Sequence, residues 1–352
     1  MHHDAARRAA GRQAIGEMLA GGGGSMTVLS VRNLSVEFGG HGGLFRKSRV
    51  VRAVQEVSFD LAPGTTLGLV GESGCGKSTT GLAAMRLIDA RAGEVLFGDR
   101  DILKLRGADL RRMRSKIQIV FQDPFSSLNP RLTAAGIIAE PLEILGVGTL
   151  DERRARVDEL LKQVGLSPEH GGLFPHQFSG GQRQRLGIAR ALAPDPEILI
   201  CDEAVSALDV AIQAQVLNLL ARLQADRGFA MLFISHDLSV VRHVSDEVIV
   251  MYLGRIVERA SAGALFDAPR HPYTKALISA IPSRDLDRPS TRMRLQGDVP
   301  SPVNLPSGCA FHTRCPFARD LCAKERPALD ERTDGCAVAC HFADELAEAG
   351  LE

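Results

Sequence analysis

Apolar and polar residues alternate from Val28 to Phe38, the period of a half-buried strand. A Gly-rich, basic stretch, GGHGGLFRKSRVVR, follows and predicts a loop. AVQEVSFDLAPGTTLGLV reads as two further strands divided by a Pro63-Gly64 turn. In VDELLKQVGL the period lengthens, and Val157, Leu160, Leu161 and Val164 fall on one helical face. EILICDE and AMLFISHD are short and almost wholly apolar, as expected of strands buried on both faces. Buried strands alternating with helices predict a largely parallel α/β core. After about residue 265 the strand pattern fades while Pro, Arg and Cys rise, which predicts a second, smaller unit.

The chain of 352 residues can hold one large domain and an extension. Lys+Arg and Asp+Glu both number 42, so no global positive field draws it to nucleic acid or anionic lipid. No apolar run approaches the ~18 residues of a membrane span, and none reads as a secretory h-region. The expected setting is cytosolic, where clustered cysteines point to metal or redox chemistry rather than disulfides. Residues 1–25 are Ala/Arg-rich and end in a Gly/Ser run. They are expected to be a disordered tail or linker and are set apart from the fold.

GESGCGKST, from Gly71 to Thr79, fits G-x-x-x-x-G-K-[ST] between a predicted strand, TLGLV, and a predicted helix, TTGLAAMRLI. Gly71, Gly74 and Gly76 let backbone amides turn around an anion, and Glu72, Ser73, Cys75 and Thr79 complete the loop. The helix N-terminus adds favourable partial charge. Lys77 is expected at the β- and γ-phosphates and Ser78 at Mg²⁺. Cys75 stands at a permissive position and its thiol is given no chemistry. In ILICDE, Asp202 ends a buried strand and is a candidate for Mg²⁺. Glu203 follows at the strand tip, where hydrolysis needs a base or water-orienting group. Cys201, within the strand, is expected to be a packed thiol.

FSGGQRQR, from Phe178 to Arg185, resembles the signature motif of ABC transporter ATPases. Further motifs follow in that family's order from about Leu29 to Arg259. Gln122 in VFQDP looks like the Q-loop glutamine, implied at the nucleotide and its Mg²⁺. Ser206 to Asp209, SALD, looks like the D-loop, and His236 in ISHD like the switch histidine. Phe38 sits where the family places an adenine-stacking aromatic, with Phe45 as its rival. The resemblance implies a P-loop ABC ATPase cassette, α/β with a mixed sheet core and a helical subdomain, followed by a small Cys-rich C-terminal extension. It implies a nucleotide-binding domain over 26–265, a helical subdomain over about 123–190 and an extension over 266–352. Two cassettes pack head to tail in this family, so Ser179, Gly180, Gly181 and Gln182, with Asp209, are implied at the γ-phosphate held by a second chain. Lys77 and Gln122 join Glu203 and His236 as the implied catalytic set. One departure is Ala204, where the family commonly has a φ-fixing Pro.

FQDPFSSLNPRLT, FPHQFSGGQRQRLGIARAL, SALDVAIQAQVLNLL and HPYTKALISAIP look like the oligopeptide/dipeptide importer subfamily. That likeness implies ATP hydrolysis driving peptide import. The implied partners are a second ABC ATPase, paralogous rather than identical, two membrane permeases and an extracytoplasmic solute-binding protein. The implied location is the cytoplasmic face of the membrane. A soluble ABC ATPase of translation or DNA repair is the rival, though such proteins usually carry tandem cassettes or a coiled-coil insertion. Import of another small solute such as nickel is a further alternative.

Five of the seven cysteines fall between Gly308 and Phe342. Cys309, Cys315, Cys322 and Cys340 match the subfamily's C-terminal pattern, which implies a [4Fe–4S] cluster. Chemistry alone allows such a cluster or Zn²⁺, and gaps of five, six and seventeen residues lack the close Cys pairs usual in zinc fingers. Cys336 falls outside the pattern, and neither His312 nor His341 is expected to ligate.

Overall fold

The structure is a computed structural model, and it describes residues 27–39, 50–281, 293 and 295–348. The tail expected over 1–25 and the rival aromatic Phe45 lie outside the described residues.

Two sheets organise the chain. β1 (Leu29–Phe38), β2 (Val51–Leu61), β4 (Ala92–Phe97) and β5 (Arg100–Asp101) form an antiparallel sheet in the order β2-β1-β4-β5. The larger sheet takes β3 (Thr66–Val70), β6 (Ile117–Val120), β7 (Ile198–Asp202), β8 (Ala230–Ser235), β9 (Glu247–Tyr252), β10 (Arg255–Ser261), β11 (Asp330–Glu331) and β12 (Ala337–Val338). Its order is β11-β12-β10-β9-β3-β8-β7-β6. The five strands β9-β3-β8-β7-β6 are parallel, as the buried apolar runs predict. Beyond β9 the pairing turns antiparallel, which gives the mixed sheet core that the family resemblance implies around a largely parallel centre. The reason is local: β9 and β10 are joined by the two-residue turn Leu253-Gly254, too short for a crossover.

The two-residue side-chain period explains the double burial. Ile198 and Ile200 of β7, with Leu232 and Ile234 of β8, face a core shared with the antiparallel sheet and with α1 (Lys77–Ala84). Leu199, Cys201, Met231 and Phe233 face the opposite core. That second core is built with α2 (Ala134–Leu145), α3 (Leu150–Gln163), α4 (Gly180–Leu192) and α5 (Val210–Arg227). The face expected from VDELLKQVGL is buried, since Val157, Leu160, Leu161 and Val164 are all at most 4% exposed. Caps set the helix starts. Thr133 accepts the Gly136 N–H before α2, and Thr149 and Glu152 form a reciprocal capping box at α3.

The C-terminal segment returns to the main sheet. Ala337 and Val338 pair with Arg259 and Glu258 of β10. α6 (Pro272–Ser279) starts at His271, whose Nδ1 accepts the Tyr273 N–H. The buried Glu258 carboxylate accepts the N–H groups of Arg270 and His271 at 2.7 and 3.0 Å. Phe311 packs against Tyr252 and Tyr273, with ring centroids 5.3 and 5.4 Å away. No helix among the described residues is long and apolar enough to cross a membrane.

Candidate nucleotide site

Parallel pairing puts the C-terminal ends of β3, β8, β7 and β6 on one edge: Val70 is level with Ser235, Asp202 with Ile234, and Val120 with Cys201. The loop after β3 is Gly71–Gly76, and α1 starts at Lys77. Gly76 has φ +104°, and a Cβ there would stand 2.2 Å from the Ala53 carbonyl, so a side chain is excluded twice over. Lys77 is buried, and its ammonium donates to the carbonyls of Gly71 and Glu72 at 2.8 and 3.0 Å. Ser73 and Gly74 are exposed at the loop's crest, and Thr79 is half-buried on α1.

Ser78 Oγ donates to Asp202 Oδ1 at 2.7 Å, across 124 residues of chain. The predicted pair of Mg²⁺ ligands is thus brought together. Burial pushes the Asp202 carboxyl up, and the nearby Glu203 adds to this, while the Ser78 hydroxyl and the Lys77 charge oppose it. A divalent cation at this pair would favour the ionised form. Glu203 adopts a left-handed backbone, φ +47°, uncommon for a residue with a side chain. Its N–H is fixed by Ile234 O at 2.9 Å, and its Oε2 lies 3.1 Å from His236 Nδ1. His236 is half exposed and Glu203 largely covered, so the pair borders solvent. Ala204 is buried at the start of the following turn. Gln122 is exposed just beyond β6, on the same sheet edge. Phe38 ends β1 with 44% of its surface exposed, unlike the buried apolar residues that precede it.

Other predicted residues lie apart. Ser179 caps α4, its Oγ accepting the Gln182 N–H while Gln182 Oε1 accepts the Ser179 N–H. Gly180 and Gly181 form the first turn of α4, where backbone N–H groups have no acceptor within the helix. Gly181 is required by close approach, since a Cβ would meet Ile212 Cγ2 at 2.5 Å. Asp209 caps α5, accepting the Ile212 N–H at 3.0 Å. Among the described residues no hydrogen bond joins Ser179–Gln182 or Asp209 to the phosphate loop.

Two loop residues have further partners. The Glu72 N–H donates to Tyr273 Oη at 2.8 Å, and the Glu72 carboxylate pairs with Arg314. The Cys75 thiol is buried, and burial pushes its pKa up. Its N–H donates to Glu72 O at 3.2 Å within the loop. Sequence reasoning missed Tyr273 and Arg314, which lie 201 and 242 residues from Glu72. No local pattern links such positions.

Cys309, Cys315, Cys322 and Cys340 line one small cavity, with Phe317 and Phe342 among its walls. Cys336 is buried outside that lining, with its N–H on Asp334. His312 Nδ1 contacts Cys309 O and His341 Nε2 contacts Glu325 O. All seven cysteines are free. Burial pushes up the thiols of Cys309, Cys315 and Cys340, with the neighbouring thiols' charges adding to it, and Cys315 reaches about 12. Among the described residues no group of three or more His, Cys, Asp or Glu side chains is placed to hold a metal ion.

Comparison with known proteins agrees with this geometry. Residues 54–206 match the ABC transporter family, and residues 257–322 match "Oligopeptide/dipeptide transporter, C-terminal region". The chain is 54% identical over 328 residues to "Probable peptide ABC transporter ATP-binding protein y4tS" of Sinorhizobium fredii, covering 93% of each. It is 52% identical over 320 residues to the oligopeptide transport ATP-binding protein AppF of Bacillus subtilis, covering 90% of this chain and 97% of that one. Among solved structures, the ATP-binding cassette MJ0796, a dimer in a post-hydrolysis state bound to ADP and Pi, superposes with a TM-score of 0.59 at 30% identity. That match covers 66% of this chain and 98% of the cassette. The chain is an ATPase and belongs to the ABC transporter ATP-binding proteins of the oligopeptide/dipeptide type.

Proposed function

We propose that this chain is the ATP-hydrolysing subunit that powers an ABC importer of dipeptides or oligopeptides. The carrying observation is the convergence of Ser78 with Asp202 and of Glu203 with His236 on one sheet edge. The match of residues 257–322 to the transporter C-terminal region adds the transport class. We assign 26–265 to the nucleotide-binding domain, with its helical subdomain near 123–190, and 266–352 to the extension.

In this reading Lys77 and the amides of the Gly71–Thr79 loop bind the β- and γ-phosphates. Ser78 and Asp202, with Gln122, would hold Mg²⁺, which neutralises phosphate charge when bound. Glu203 accepts a proton from the attacking water, and His236 orients Glu203 and contacts the γ-phosphate. Phe38 stacks on the adenine. Ser179, Gly180, Gly181 and Gln182, with Asp209 beside them, face the nucleotide of a second, paralogous ATPase. ATP thereby holds the two chains together and hydrolysis releases them. This chain sits at the cytoplasmic face of the membrane, and two permeases and an extracytoplasmic solute-binding protein complete the importer. Cys309, Cys315, Cys322 and Cys340 would hold a [4Fe–4S] cluster, with Zn²⁺ as the alternative, and the group supplies a cross-link for a segment poor in regular structure.

Gentle membrane extraction of the tagged chain from its native cell, followed by mass spectrometry, tests this reading. Two multi-span permeases, a second ATPase and a solute-binding protein are expected. Recovery only with ribosomes or DNA-repair proteins would overturn the transport assignment.

A further inference from the structure

Glu72 is an acid inside a loop built to receive a polyanion. Left charged and unpaired, it would repel the phosphates at close range. Arg314 removes that difficulty. Its Nη1 donates to Glu72 Oε2 at 2.7 Å and its Nη2 to Oε1 at 3.1 Å, a two-pronged pairing. The Arg314 side chain is only 6% exposed, so solvent screens the pair little. A second contact holds the same residue: the Glu72 N–H donates to the hydroxyl of the fully buried Tyr273. Tyr273 is wedged against Tyr252 and Phe311 at 4.8 and 5.4 Å. Arg314 is itself set by a turn in which its N–H donates to Phe311 O at 3.0 Å. That turn lies between Cys309 and Cys315, two residues of the cysteine-lined cavity. The phosphate loop is therefore held from outside by the C-terminal extension.

We infer that Arg314 is a positioning residue for the nucleotide site, which neutralises Glu72 and draws its carboxylate out of the phosphate loop so that the loop accepts a triphosphate. The inference rests on ATP binding at this loop, which a Lys77→Ala control checks separately.

Titration of the full-length chain with a fluorescent ATP analogue, together with steady-state hydrolysis, provides the test. Arg314→Ala raises Kd and KM for ATP about tenfold, the loss of one charge-assisted contact, while kcat stays close to wild type. Arg314→Lys restores part of the affinity, as a charge without the fork. Glu72→Gln placed in the Arg314→Ala chain returns the affinity toward wild type, because no uncompensated carboxylate remains. A merely structural Arg314 gives no such rescue. Wild-type Kd in Arg314→Ala, or a double variant as weak as Arg314→Ala, would overturn the inference. Unchanged binding in Lys77→Ala would instead show that the analogue binds elsewhere and that the loop assignment has failed.

Discussion

Glu203 concentrates the site's demands in one residue. It must sit at a strand tip, in a left-handed backbone, with its carboxylate beside His236. Each requirement has a visible support: the end of β7, the N–H bond to Ile234 O, and the 3.1 Å contact to Nδ1. His271 shows the opposite use of a histidine. It is 1% exposed, its Nδ1 accepts the Tyr273 N–H, and burial lowers its pKa from 6.5 to about 3. Between those values the unfolded chain binds the proton and the folded chain does not. The histidine's contribution to stability is thus complete above about pH 6.5 and is lost as the pH falls toward 3, by up to about 1.4 kcal/mol per pH unit. Denaturant melts at stepped pH should show His271→Asn with a shallower acid slope than wild type. An identical slope would mean that His271 is protonated in the fold. Lys77, Ser78, Asp202, Glu203 and His236 were all readable from sequence, because each sits in a short motif beside a predicted strand. Tyr273 and Arg314 were not, because their role depends only on where the chain returns.

At the level of elements, the two-residue and longer apolar periods were sufficient. They separate Ile198 and Ile200 from Leu199 and Cys201 and assign them to opposite cores. They also predict the buried face of α3. The edge strands β11 and β12 carry no period of their own, because each is two residues long. The docking of α4 against α5 depends on Gly181, whose added Cβ would meet Ile212. Gly181→Ala should destabilise the chain by about 1–3 kcal/mol in urea melts. Ile212→Ala in the same chain should recover part of that loss. No recovery would place the strain elsewhere.

At the scale of the whole molecule, the extension is continuous with the cassette rather than appended to it. It completes the main sheet through β12, contributes Phe311 to the core, and reaches the phosphate loop through Arg314. The four-cysteine pattern was visible in the sequence, and the fold adds that the four thiols share a cavity while Cys336 stands outside it. Anaerobic purification is expected to give a brown protein with about four iron atoms per chain, the content of one [4Fe–4S] cluster. A colourless protein with one zinc per chain contradicts the cluster.

The most direct test is to compare ATP hydrolysis and ATP-dependent dimer formation in the wild-type chain and Glu203→Gln. Glu203→Gln is expected still to bind ATP and to accumulate as an ATP-bound dimer. Its hydrolysis should fall by roughly 10²-fold or more, the usual contribution of a general base. Steady-state hydrolysis equal to wild type, with no dimer retained, would contradict the role of Glu203 as the base.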